Sequence, residues 1–130
     1  MTVIQNQFRK PETLIACMLG ILVSGYLGWH YDEGWIAHDE GLLGHTAELT
    51  LAGKTPHIEF QDVYTGLLSY VNAISFKLFG INLASLRIPL LIGATLTSII
   101  WYLIALRMVS PVVAGVVTLT SVAWSFPNYF

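Results

Sequence analysis

The sequence predicts an all-α protein of polytopic membrane helices, broken by one polar stretch. Three observations carry that reading. Hydrophobic residues make up 55% of the chain and charged residues 11%, where a soluble domain carries about 25% charged. The charges are clustered, which leaves long uncharged runs such as Thr13 to Trp29 and Ile88 to Leu106. The remaining polar chemistry concentrates between Trp35 and Tyr64, WIAHDEGLLGHTAELTLAGKTPHIEFQDVY. The same counts exclude other classes. A net charge of −2 gives no basic footprint for nucleic acid. The single Cys17 lies in an apolar run, forms no internal disulfide and has no metal-type spacing.

The first element is the run from Thr13 to Trp29, preceded by Arg9 and Lys10. A crossing helix needs about 17–25 apolar residues, and this run meets the lower bound. The positive-inside rule places Arg9 and Lys10 in the cytoplasm and the following loop outside. A cleaved signal peptide is the rival reading, but no clean small-residue cleavage site follows. Next, Asp39 to Ala52 reads as a short helix, with Asp39 as N-cap and Gly53 as a left-handed C-terminal cap. Leu43, Ala47 and Leu51 form a stripe for the membrane surface or for other helices. Lys54 to Asp62 reads as a loop around Pro56.

Val63 to Gly80 is the second candidate span, with Asn72 mid-span and Lys77 able to snorkel near its end. Ile81 to Arg87 reads as a tight connection in which Asn82 caps the next helix. Ile88 to Leu106 is the third span, with Trp101 and Tyr102 as interfacial aromatics. Ser110-Pro111 marks a turn and helix start, and the fourth run extends to Phe130. The expected spans are therefore about 13–30, 63–80, 88–106 and 111–130, with an outer loop at 31–62. This alternation puts the basic residues Lys77 and Arg87 inside with the N-terminus, but leaves Arg107 outside, against the rule. The fourth run lacks a polar tail after it, which reads as an N-terminal fragment or an interrupted frame.

The groups able to do chemistry near the outer face are His38, Asp39, Glu40, His45, Glu48, His57, Glu59 and Asp62. Asp39 has two readings, a helix N-cap or a base. Asp32-Glu33-Gly34 repeats the Asp39-Glu40-Gly41 pattern and is a second candidate pair. His38, His45, His57 and Glu59 are metal-compatible types, but they lack a ligand motif such as H-E-x-x-H and read as solvated loop residues. Asp62 reads as a first-turn helix acid or as a substrate contact. Trp29, Trp35, Tyr64, Trp101 and Tyr102 read as interface markers rather than as a sugar platform.

The order HDEGLLGHTAELTLAGKTPHIEFQDVYTGLLSYVNAISFKLFGINLASLRIP resembles the N-terminal region of GT-C membrane glycosyltransferases. The nearest patterns are those of protein O-mannosyltransferases and bacterial lipid A aminoarabinose transferases. The resemblance runs from about residue 13 to 125. It is carried by Asp39-Glu40, the helix with Ala47 to Leu51, Gly53, the extended segment Lys54 to Asp62, Phe79-Gly80 and Arg87-Ile88-Pro89. Tyr64-Thr65-Gly66 stands where aminoarabinose-type members often carry Lys-Pro-Pro, so the subfamily and donor sugar stay open.

The resemblance implies an integral inner- or plasma-membrane enzyme of the hexosyl- or pentosyltransferase type. Such an enzyme moves a sugar from a polyprenyl- or dolichyl-phosphate carrier to an extracytoplasmic acceptor. Its partners are membrane lipid and the lipid-linked donor. A carboxylate must take the acceptor's hydroxyl proton, and the leaving phosphate needs a cation, from a side chain or a divalent metal. Asp39 is the implied base and Glu40 its support, with Lys54, His57, Glu59 and Asp62 as substrate-binding candidates. No metal ligand is assigned. The alternative is a small non-enzymatic membrane protein, a transport or assembly component, in which the polar stretch is only a connector.

Overall fold

The computed structural model describes residues 10–30, 34 and 37–125. Within them the chain is all-helical, as expected: α1 (Lys10–Trp29), α2 (Ala37–Leu51), α3 (Leu67–Phe79), α4 (Leu83–Ala105) and α5 (Pro111–Ser125). Two stretches, Pro11–Trp29 and Leu83–Ala105, are long and apolar enough to cross a membrane, and α3 and α5 are shorter apolar helices.

The caps explain the boundaries. After α2, the N–H of Lys54 donates to Leu49 O at 3.0 Å and that of Gly53 to Thr50 O at 3.0 Å. This crossed pair closes the helix end and requires a left-handed residue, which Gly53 supplies at φ 89°. The expected glycine cap is therefore present. The start of α2 differs from expectation. The helix begins at Ala37, so Asp39 lies inside its first turn rather than at the N-cap.

The expected second span also begins later. Asp62 accepts the Tyr64 N–H at 2.9 Å, a local Asx-type bond that competes with helix, and Gly66 takes φ 73°. Helix proper starts at Leu67. Asp62 is thus a loop residue and not a first-turn acid.

Asn82 does cap α4, its Oδ1 accepting the Ser85 N–H at 2.8 Å. Its Nδ2 also donates to Phe79 O and Gly80 O at 3.4 and 3.3 Å, so one side chain serves the end of α3 and the start of α4. Helix α4 therefore begins within the stretch expected to be a connection, and Arg87 is helical. Pro89 lies inside α4. Having no N–H, it leaves the carbonyl four residues back, that of Ser85, without its helical donor. Ser75 Oγ donates to that carbonyl at 2.5 Å, so the proline is accommodated by a hydroxyl from α3. Ser110 and Pro111 open α5 as expected, with the Ala114 N–H donating to Ser110 O at 2.9 Å.

The chain divides into two units, one joining residues up to Trp29 with those from Gly93, the other formed by His30–Ile92. In the first, Leu19, Tyr102 and Ala114 form a buried cluster with Ile15, Ala16 and Leu103 against it. Tyr102 was expected at an interface. Instead it is fully buried, and its hydroxyl donates to Glu12 O at 3.3 Å, which supplies the partner a buried phenol needs. Ser24 and Thr95 hydroxyls meet at 3.2 Å. These two contacts run α1 antiparallel to the later part of α4. Gly115 brings α5 close to Ile15, where an added Cβ would sit 3.4 Å from its Cγ2.

In the second unit, α2 and α3 pack as an antiparallel hairpin. Ala47, Phe76 and Leu86 form its core, with Leu43 against them. Thr46, Ala47 and Thr50 are the buried face of α2, while Leu51 is 38% exposed. The apolar stripe is thus rotated toward small residues that admit close helix contact. Thr50 Oγ1 satisfies itself by donating to Thr46 O at 2.8 Å. Asn72 is buried on α3, and its Oδ1 accepts nothing among the described residues.

Candidate functional site

The polar chemistry gathers at the two ends of the α2–α3 hairpin. At the first end stand Asp39 and Glu40, in the first turn of α2. Consecutive helical residues point about 100° apart, so the two carboxylates diverge. Glu40 turns inward. Its Oε1 accepts from Arg87 Nε at 2.6 Å and its Oε2 from Arg87 Nη2 at 2.9 Å. Arg87 Nη2 also donates to the Gly34 carbonyl at 2.6 Å. The pair is largely withdrawn from solvent, with side chains 10% and 15% exposed. A bidentate guanidinium–carboxylate fork of this kind is strong and orientation-specific. Asp39 turns outward and is exposed.

The second end is the loop after α2. It is held by its own side chains. Glu59 Oε2 accepts the Thr55 N–H at 2.7 Å, and the His57 N–H donates to Phe60 O at 2.9 Å. His57 adopts φ 64°, an uncommon conformation for a residue with a side chain. Its ring lies over Gly66, where an added Cβ would meet Cδ2 and Nε2 at 3.2 Å. That contact, together with the positive φ, is why glycine stands at 66. Asp62 is 6% exposed and accepts Ser69 Oγ at 2.5 Å, tying the loop to the start of α3. Lys54 is exposed.

Of the candidate residues, Asp39 and Glu40 thus share the first turn of α2 with their carboxylates turned apart. Lys54, His57, Glu59 and Asp62 fall beyond the opposite end of α2, about 18 Å further along its axis at 1.5 Å per residue. Glu59 and Asp62 are occupied in holding the loop, whereas Lys54 and His57 remain exposed. His38 and His45 are exposed along α2, and no group of three or more His, Cys, Asp or Glu side chains is placed to hold a metal ion among the described residues. Asp32, Glu33 and Trp35 lie outside the described residues.

Two partners escaped the sequence reading of the site. Ser69 gives no signal, since a serine in an apolar helix is common. Arg87 gives one. A guanidinium in the opening turns of an otherwise uncharged helix needs a carboxylate, and the chain's acids lie almost entirely between Asp32 and Asp62.

No family model, curated protein or solved structure matches this chain.

Proposed function

We propose that this chain works in a membrane glycosyltransferase that moves a sugar from a polyprenyl-phosphate carrier to an acceptor hydroxyl, with Asp39 as the base. The observation that carries the reading is the division of labour at the start of α2. Glu40 is locked to Arg87 through two hydrogen bonds, which fixes the helix turn. Asp39, one residue earlier, is held by that turn and remains exposed. A connector needs no such arrangement. A base needs it, because proton transfer demands a carboxylate that is both open to the acceptor and fixed in position.

In the reaction, the acceptor oxygen bonds to the anomeric carbon as the bond from that carbon to the phosphate oxygen breaks. The hydroxyl proton passes to Asp39, and the electron pair of the broken bond leaves with the lipid phosphate. Arg87 is engaged by Glu40 and acts on Asp39 only by positioning the turn.

Membrane insertion is supported by what the apolar helices turn outward. Leu14, Met18, Ile21, Leu22 and Trp29 on α1, and Leu90, Leu96, Ile100, Trp101 and Ile104 on α4, are each at least 52% exposed. Leaving such side chains in water rather than in an apolar medium costs on the order of 10–20 kcal/mol in sum. That rivals the whole stability of a domain, about 5–15 kcal/mol. Lipid removes the cost.

The test is transfer by membranes carrying the complete reading frame, offered a panel of polyprenyl-phosphate-linked hexoses and pentoses. Asp39→Asn should lower sugar transfer by about 10²–10⁴-fold at unchanged membrane abundance, with partial recovery in Asp39→Glu. Wild-type turnover in Asp39→Asn would remove the base. Release of no lipid phosphate from any donor by the wild type would leave the chain as a non-enzymatic membrane component.

A further inference from the structure

We infer that α2 and α3 stay on one side of the membrane as a surface-lying hairpin, with the outer stripe of α3 seated in the lipid of that leaflet, and that α4 enters the bilayer from the side on which α1 leaves it. The inference rests on membrane insertion, not on the transferase reading.

It starts from a parity condition. Glu40 and Arg87 touch at 2.6 Å, and Arg87 also reaches the Gly34 carbonyl. The hydrocarbon core is about 30 Å thick. Groups in contact lie at one level of it, so the chain between them crosses an even number of times. A single crossing by α3 is odd and therefore impossible. Two crossings would require α2 to cross as well. Its 15 residues reach about 22 Å, and they carry Asp39, Glu40, His45 and Glu48. Each acid at the centre of a span costs about 2.5–3.5 kcal/mol. Zero crossings remain. The length of α3 agrees, since its 13 residues reach only about 20 Å.

The surface of α3 names the occupant. Leu67, Val71, Ile74 and Leu78 recur at helical spacing and are 68, 37, 59 and 68% exposed. The buried face opposite holds Ser69, Asn72, Ala73 and Phe76. The helix is apolar outward, the reverse of a helix in water. On α2 the exposed polar positions are His38, Asp39, His45 and Glu48. The hairpin thus presents an apolar side on α3 and a charged side on α2, which is the profile of an element lying in the lipid interface. Lys77, exposed on α3, reaches headgroups from there.

The arrangement changes the charge pattern. The later part of α4 runs antiparallel to α1, with Tyr102 bonded to Glu12, so Arg107 now falls on the side where α1 begins, and the earlier exception disappears. Lys77 and Arg87 move to the other side, beside Lys54, so the basic residues divide three against three instead of the four against two of the expected topology. The contact decides, because a statistical rule cannot hold two touching groups on opposite faces.

Single cysteines placed in a Cys17→Ser background test this, using an impermeant maleimide on sealed vesicles of each orientation. The exposed positions Ile58→Cys, Ile81→Cys and Met108→Cys serve as probes. Positions 58 and 81 should label from the same side and position 108 from the opposite side. Labelling of 58 and 81 from opposite sides overturns the inference while leaving membrane insertion intact. Labelling of all three from both sides, with the chain extracted by alkali, overturns insertion itself. A nitroxide at Ile74→Cys should sit about 5–10 Å below the headgroups, well short of one at Leu96→Cys. Equal depth for the two would remove the surface hairpin.

Discussion

The unit built from α1, the later part of α4 and α5 and the unit built on α2 and α3 use their polar groups in different ways. In the first, hydroxyls mostly turn back on their own helix. Ser98, Thr118, Thr120 and Ser121 each donate to the carbonyl four residues earlier, at 2.8–2.9 Å. Those bonds survive any rearrangement of the helices around them. In the second unit Thr46 and Thr50 also back-bond within α2, but three further bonds cross between elements: Arg87 to Glu40, Ser69 to Asp62 and Ser75 to Ser85. Each such bond exists in only one arrangement of α2, α3 and α4. The difference teaches where specificity resides. Apolar length and self-satisfied hydroxyls are enough for helices in lipid. A site that must hold a carboxylate in place needs cross-element bonds.

The comparison can be broken by substitution, and the largest effect is expected at the ion pair. Arg87→Ala takes the guanidinium from the Glu40 carboxylate, which is largely withdrawn from solvent, at a cost of about 3–5 kcal/mol. Combining it with Glu40→Leu should recover much of that loss. Unfolding followed in detergent micelles by helical circular dichroism reads both variants. An Arg87→Ala loss under 1 kcal/mol, on the order of a surface pair, would mean that the pair does not organise the unit.

A sharper test lies at Pro89. Ser75→Ala removes the hydroxyl donor at the Ser85 carbonyl, and should cost about 1–3 kcal/mol. In a Pro89→Ala background the backbone N–H returns, so Ser75→Ala should then cost under about 1 kcal/mol, near the net worth of an ordinary hydrogen bond. The same unfolding measurement on the four-member cycle gives the coupling. Equal losses in both backgrounds would separate the serine from the proline.

The smallest effect is expected in the first unit. Thr120→Val deletes an exposed, back-bonded hydroxyl and should change stability by no more than about 0.5 kcal/mol. A loss there matching that of Ser75→Ala would erase the distinction between the units.

Much of this protein was legible in its sequence because the forces involved act between neighbours in the chain. Apolar run length marked α1 and α4. Gly53, Asn82 and Ser110-Pro111 marked helix ends, since a left-handed residue or a capping amide works within a few positions. The Asp39-Glu40 pair stood out for the same reason. Local signals misled where one residue type serves two ends. Asp39 reads equally well as a cap or a first-turn acid, and Val63 to Gly66 is as apolar as a helix but is bent by Asp62.

Only the tertiary structure decided which carboxylate is locked and which is open. Spacing says nothing of a bond between residues 47 apart in the chain, and Asp and Glu are equally plausible partners for arginine. Nor does composition show that Tyr102 is buried, or that a hydroxyl on α3 completes the backbone at Pro89. Those outcomes depend on which helix faces meet. Because Glu40 and Arg87 meet, the folded chain also carries information on membrane sidedness that counting apolar runs and basic residues cannot supply.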